Sequence, residues 1–236
     1  MKNLDLATPK YGFYDRLDAT FPSQLIIDTT ELCNLACIHC PHPVFKKSEH
    51  YSARSQDAEL SAKAVDEVRD HGQGICKYIR FTGEGEPLIH PHVFEILTYA
   101  VKNSGTMVTL TTNGTLLTNK KIDQTLATGV GLIDISIDAH SPETYAAVRV
   151  KGKLDVTRQN VLNLLAAAKG SDVIVVVSYV EQPLNKHETD DFERFWRDNG
   201  AEHVVVRRLH SSAGAVGDVA DRLREEVGQD ARRPCL

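Results

Sequence analysis

The sequence lacks any apolar run long enough to cross a membrane. Its longest, residues 173–177, falls far short of the ~20 residues a spanning helix needs. The polar stretch over residues 1–14 has no apolar core of the kind a secretory signal carries. Together these predict a cytoplasmic protein with no membrane partner. Basic residues are not in excess either: 27 Lys and Arg stand against 32 Asp and Glu, a formal net charge of −5. The pairs Lys46-Lys47, Arg207-Arg208 and Arg232-Arg233 are scattered, so no polyanion track forms and nucleic acid is not an expected partner. Internal repeats and low-complexity tracts are missing as well. An even-numbered disulfide framework is excluded by five cysteines, three of them within eight residues, in a chain of 236. Cysteines so grouped read as metal ligands in a reducing compartment.

Hydrophobic residues make up 42% and charged ones 25%, the proportions of a folded domain. Short runs rich in Val, Ile and Thr alternate with amphipathic helical runs. Strands are predicted at residues 24–29, 78–82, 107–111, 132–137, 173–179 and 204–209, with a composition typical of strands covered on both faces. Helices are predicted at 62–70, 92–102, 119–127, 154–169 and 188–198. Gly72, Gly105, Gly129, Gly170 and Gly200 follow them as left-handed C-caps. Ser141-Pro142-Glu143 opens a short helix, and Asn185 with Glu188 resembles a capping box.

Six such alternations require parallel strands and right-handed crossovers, an α/β class. Polar or glycine-rich residues follow each strand: the cysteine loop, Gly83-Glu84-Gly85-Glu86-Pro87, Thr112-Asn113-Gly114, Asp138-Ala139-His140, Glu181-Gln182 and His210-Ser211. A doubly wound sheet concentrates its chemistry at one crevice, whereas a barrel spreads it around the C-terminal rim. The expected architecture is therefore a partial (β/α)6 TIM-like barrel over residues 24–212. Residues 1–23 form an extension before it, and residues 213–236 a tail.

The most specific feature is Cys33-Asn34-Leu35-Ala36-Cys37-Ile38-His39-Cys40. Three thiolates at this spacing converge on one metal centre from one loop. Iron–sulfur clusters are usually held by four cysteines, so three would leave one iron open to a substrate or cofactor. The alternative is zinc with His39 or His42 as fourth ligand, but zinc motifs normally offer a second distant pair, and none is visible. Gly83-Glu84-Gly85-Glu86-Pro87 has no Lys-Ser/Thr and carries two carboxylates, so it suits a cationic amine rather than a phosphate.

Cys-x3-Cys-x2-Cys after the first strand of an α/β chain resembles the radical S-adenosylmethionine superfamily, and the resemblance extends over about residues 25–209. It implies a [4Fe–4S] cluster on Cys33, Cys37 and Cys40 that binds S-adenosylmethionine at its open iron. The aromatic residue usual before the last cysteine is His39 here, whose imidazole would lie against the adenine. Gly85 and Glu86 match the superfamily's Gly-Glu-Pro motif for the cofactor's ammonium, with Glu84 inserted. Thr112 and Asn113 match its Thr-Asn-Gly. Ser136 stands where a small hydroxyl approaches the ribose or carboxylate, and Arg149 where an arginine approaches the methionine carboxylate.

The resemblance further implies reductive cleavage to a 5′-deoxyadenosyl radical, and an electron donor such as flavodoxin or ferredoxin. The expected substrate is a small polar metabolite of sugar, aminocyclitol or nucleoside type, since only about 23 residues precede the first strand and a leader-peptide-binding domain would not fit. A peptide substrate is the alternative, and a non-catalytic Fe–S or zinc redox or sensor protein is the alternative of another class. His140, Tyr179, Glu181, Arg207 and His210, at or near strand C-termini, are candidates for substrate binding or proton transfer. Cys76 reads as a structural thiol. Arg233-Pro234-Cys235-Leu236 resembles the opening of a SPASM extension, which binds auxiliary clusters in many members; one cysteine cannot build such a cluster.

Overall fold

The computed structural model describes residues 20–209. His210, Cys235 and the expected tail lie outside them. Six parallel strands are hydrogen-bonded in the order of the chain: β1 (Gln24–Ile27), β2 (Tyr78–Phe81), β3 (Met107–Thr112), β4 (Leu132–Ser136), β5 (Ile174–Glu181) and β6 (His203–Arg208). Every neighbour is the next strand, so the winding never reverses as it does in a doubly wound sheet. This is the succession of a (β/α)6 partial barrel, as expected.

The helices are α1 (His42–Phe45), α2 (Ala58–His71), α3 (Val93–Asn103), α4 (Asn119–Ala127), α5 (Pro142–Val148), α6 (Leu154–Ala168) and α7 (Thr189–Asp198). α2 begins a turn earlier than predicted because the Asp57 carboxylate accepts from the Glu59 amide, satisfying a first-turn donor. Four of the five helix-ending glycines have positive φ. Gly72 does not. At φ −101° it is glycine for want of space: a Cβ would stand 2.7 Å from the Phe21 ring.

Strand alternation sorts side chains between two faces. Ile27, Ile79, Phe81, Val108, Leu110, Ile133, Ile135, Val175, Val177 and Tyr179 face outward into one core with Val65, Leu97, Ile122, Leu164, Phe192 and Trp196 of the helices. The opposite, inner face is not apolar throughout, contrary to the expectation of two covered faces. Ile26 is 55% exposed there and Ile174 40%. Between and above them stand Arg80, Thr109, Thr111, Asp134, Ser178 and Arg207. A sheet that curves places its second face around an interior rather than under a second helix layer, and polar side chains fit that interior.

Candidate active site at the cysteine loop

The cysteine loop leaves β1 and is pinned from three sides at the C-terminal rim of the sheet. At the C-terminal end of α5 and just beyond it, Val148 O accepts from the Ile38 amide at 3.1 Å and Val150 O from the Ala36 amide at 3.0 Å. From the turn after β3, Asn113 Nδ2 donates to Asn34 Oδ1 at 3.0 Å, and Asn34 Nδ2 donates to Thr115 Oγ1 at 2.7 Å. Asn160 of α6 holds that turn through the Gly114 and Thr115 carbonyls. The third side is the glycine turn after β2, where the Glu86 amide donates to Leu32 O at 2.8 Å. Backbone crosses backbone so closely here that a Cβ on Gly85 would lie 1.9 Å from Thr30 O. Glycine is required at that position by contact alone.

Glu86, only 2% exposed, does not turn its carboxylate into open space. It accepts from the Leu88 amide at 3.1 Å, the Thr112 hydroxyl at 2.7 Å and the Asn113 amide at 2.8 Å. Burial pushes its pKa up against the opposing pull of those donors. Its observed contacts therefore clamp the glycine turn to the end of β3. Thr112 and Asn113 are committed to the same clamp, and through Asn34 they position the cysteine loop.

Cys33, Cys37 and Cys40 are free thiols, Cys37 buried and the other two partly so. Burial raises the pKa of all three, Cys40 to about 12. Such thiols ionise when a cationic centre binds them. Among the described residues no three His, Cys, Asp or Glu side chains are gathered to hold a single metal ion. A cluster makes a different demand, because each cysteine takes its own iron. The two histidines of the zinc alternative are also engaged elsewhere. His42 Nε2 lies 2.7 Å from Glu31 O, and His39 Nε2 lies 3.4 Å from Asp138 Oδ2. The donor set fits a [4Fe–4S] cluster better than it fits zinc.

His39 is further held by Gln182, whose Nε2 is 3.3 Å from His39 Nδ1. Burial lowers its pKa to about 4, so the ring is neutral near pH 7. Arg149 is turned toward the ligand loop. Its Nη1 donates to Cys37 Sγ at 3.6 Å, while Nη2 pairs with the Asp138 carboxylate. Ser136 sits half-buried on the inner face, in register with Ser178.

The remaining candidates divide by strand parity. Tyr179 was expected near the active-site mouth, but it points outward, fully buried, with its ring 4.6 Å from that of Phe192 and its hydroxyl donating to Asn185 O. Glu181 shares that parity and accepts from the Thr189 hydroxyl at 3.2 Å. His140 packs edge-on against Phe195 of α7, on the helix side. Arg207 alone among the described candidates faces inward. It donates to Ser178 Oγ and, at 3.0 Å, to Asp134 Oδ2, and Ser178 in turn donates to Asp134 Oδ1.

Sequence reasoning missed Asp134, Ser178, Asn34, Gln182 and the anchoring role of Asp138. Asp134 had a signal, a carboxylate inside the apolar run Leu132-Ile133-Asp134-Ile135, where a charge requires a partner. The Asn185–Glu188 capping box also does not form. Asn185 instead donates to the Asp138 and Val180 carbonyls. Glu188 accepts from the His140 and Ser141 amides and from the Ser141 and Thr144 hydroxyls, at the start of α5.

Among the described residues no helix is long and apolar enough to cross a membrane. GTP 3′,8-cyclase of Desulforamulus reducens is 32% identical over 179 residues, 74% of this chain and 51% of that protein. Mycofactocin maturase MftC of Mycobacterium tuberculosis is 28% identical over 198 residues, 84% of this chain and 47% of that protein. The chain thus spans about half the length of these curated relatives. SuiB of Streptococcus suis, solved bound to S-adenosylmethionine, shares the fold with a TM-score of 0.68 at 14% identity, over 84% of this chain and 43% of that one. The radical SAM superfamily model matches residues 27–195, and with the cysteine loop, the glycine turn and the strand succession all in place, the chain belongs to the radical SAM superfamily.

Proposed function

We propose that this chain is the catalytic core of a radical S-adenosylmethionine enzyme acting on a small polar metabolite of sugar, aminocyclitol or nucleoside type. Cys33, Cys37 and Cys40 would hold the [4Fe–4S] cluster, and the backbone at Gly85, with Thr112, Asn113, Ser136 and His39, would border the cofactor. Once reduced by an external one-electron donor, a bound cluster would supply one electron to the carbon–sulfur bond of the cofactor, releasing methionine and a 5′-deoxyadenosyl radical that would take hydrogen from substrate. The protein's part is orientation and exclusion of water. Asn34, Asn113 and the Val148 and Val150 carbonyls fix the ligand loop, in which Leu35 and Cys37 are buried.

One observation carries the substrate class: Asp134, Ser178 and Arg207 form a hydrogen-bonded set on the inner faces of three consecutive strands. Arg207 keeps 40% of its side chain exposed, whereas Asp134 keeps 6%. The carboxylate holds the guanidinium in place, and the exposed part of the side chain leaves N–H donors accessible. Fixed donors of this kind suit a substrate rich in hydroxyl or other acceptor oxygens. The test is anaerobic reconstitution of the full chain, addition of S-adenosylmethionine and dithionite, and assay for 5′-deoxyadenosine. A sugar, nucleoside and peptide panel follows, scored for acceleration. Iron-loaded protein that forms no 5′-deoxyadenosine would overturn the activity, and acceleration by peptides alone would overturn the substrate class.

A further inference from the structure

Arg149 and Asp138 form a buried pair beside one ligand sulfur. Their side chains are 8% and 0% exposed. Asp138 is locked from β5 and the turn after it, with Oδ1 accepting from the Val180 amide at 2.7 Å and its carbonyl from Asn185 Nδ2 at 2.8 Å. It also adopts a left-handed backbone at φ +63°, a conformation that Asp and Asn tolerate better than other non-glycine residues. So held, the carboxylate aims the Arg149 fork, and Nη1 reaches Cys37 Sγ at 3.6 Å. Cys40 Sγ accepts instead from an uncharged donor, the His42 amide, at 3.4 Å. Cys33 lies within electrostatic reach of both Glu86 and Arg149, and Cys40 of Glu84. The charged hydrogen-bond donor therefore falls on Cys37 Sγ.

We propose that Arg149 is a tuning residue for the cluster. Its N–H to Cys37 Sγ stabilises the extra electron of the reduced state, and Asp138 opposes that effect while fixing the arginine's direction. The physical reason is charge: reduction adds one negative charge to the cluster and its thiolates. A donor or cation at a ligand sulfur favours that state, and a carboxylate disfavours it. Burial keeps both effects from being screened by salt. A purely structural pair would hold α5 against the ligand loop and leave the potential alone, a task the Ala36–Val150 and Ile38–Val148 backbone bonds already perform.

This rests on the cluster assignment, so iron and sulfide content are measured first for every protein. A full chain that takes up no iron after anaerobic reconstitution overturns that assignment and the proposal with it. For iron-loaded proteins the readout is the midpoint potential, taken by electron paramagnetic resonance during reductive titration without S-adenosylmethionine. Arg149→Met should lower the reduction equilibrium constant about tenfold, a shift of 59 mV for one electron. Asp138→Asn, which keeps the Val180 contact, should shift the potential the opposite way. Arg149→Lys should fall between Arg149→Met and wild type, since one ammonium keeps the charge but loses the fork. If Arg149→Met fails to fold, Asp138→Asn and Arg149→Lys decide alone. Potentials that do not move, or that move the same way in Arg149→Met and Asp138→Asn, overturn the proposal.

Discussion

Replacing Glu86 by Ala should destabilise the protein and cost it cluster loading, because this carboxylate is a structural clamp. Three donors converge on it: the Leu88 amide, the Thr112 hydroxyl and the Asn113 amide. Hydrogen bonds to a charged group contribute about 1.5–3 kcal/mol each, so the gross loss is roughly 4–9 kcal/mol. Removing a buried charge also returns its desolvation cost, which offsets several kcal/mol of that. A net loss of about 3 kcal/mol remains, or about 6–12 °C in Tm for a domain of this size. The damage should spread to the ligand loop, since Asn113 would lose the carboxylate that fixes its amide while its side chain holds Asn34. Iron content after anaerobic reconstitution should fall in step. The assay is calorimetry with iron quantitation on wild type, Glu86→Ala, Thr112→Val and the double variant. A coupling energy of about 1.5–3 kcal/mol between Glu86 and Thr112 is expected from their 2.7 Å contact. A Glu86→Ala protein with unchanged Tm, or a coupling near zero, would refute the clamp.

Glu188→Gln tests a pH dependence. Burial raises the Glu188 pKa, but bonds from Ser141, Thr144 and the His140 amide outweigh it and the net shift is downward. A depressed carboxylate contributes stability above its unfolded pKa of ~4.3, and that contribution is lost as pH falls through the folded value. The variant should be less stable than wild type near pH 7, with the difference shrinking on acidification; a gap constant from pH 7 to 3 in urea titrations would contradict this. Gly85→Ala should keep its circular dichroism but bind little iron, because the added methyl displaces Thr30 O and the ligand loop with it. Tyr179→Phe should lose about 1 kcal/mol, one hydrogen bond, and still cleave S-adenosylmethionine at the wild-type rate. Slower cleavage with intact iron would return Tyr179 to the site.

The α/β class, the six strands and the cysteine loop were legible from local pattern alone. Strand composition, glycine after helices and the Cys-x3-Cys-x2-Cys spacing are properties of neighbours in the chain, and neighbours obey short-range sterics. The Ser141 start of α5 is of this kind: the hydroxyl accepts from the Thr144 amide three residues on. Which way a side chain faces was less legible, because one step of register reverses it. Tyr179 and Glu181 were assigned to the mouth from their place near a strand end, and alternation put both outward while Arg207 turned in. What only the tertiary structure decided are the long-range partnerships. Glu188 caps a helix 44 residues earlier in the chain, Glu86 clamps Thr112 across two strands, and Arg149 meets a sulfur 112 residues away. Each of these polar groups had to find a partner once buried. The local sequence determined that they would be polar, and only the folding of β1 to β6 into one curved sheet determined which groups met.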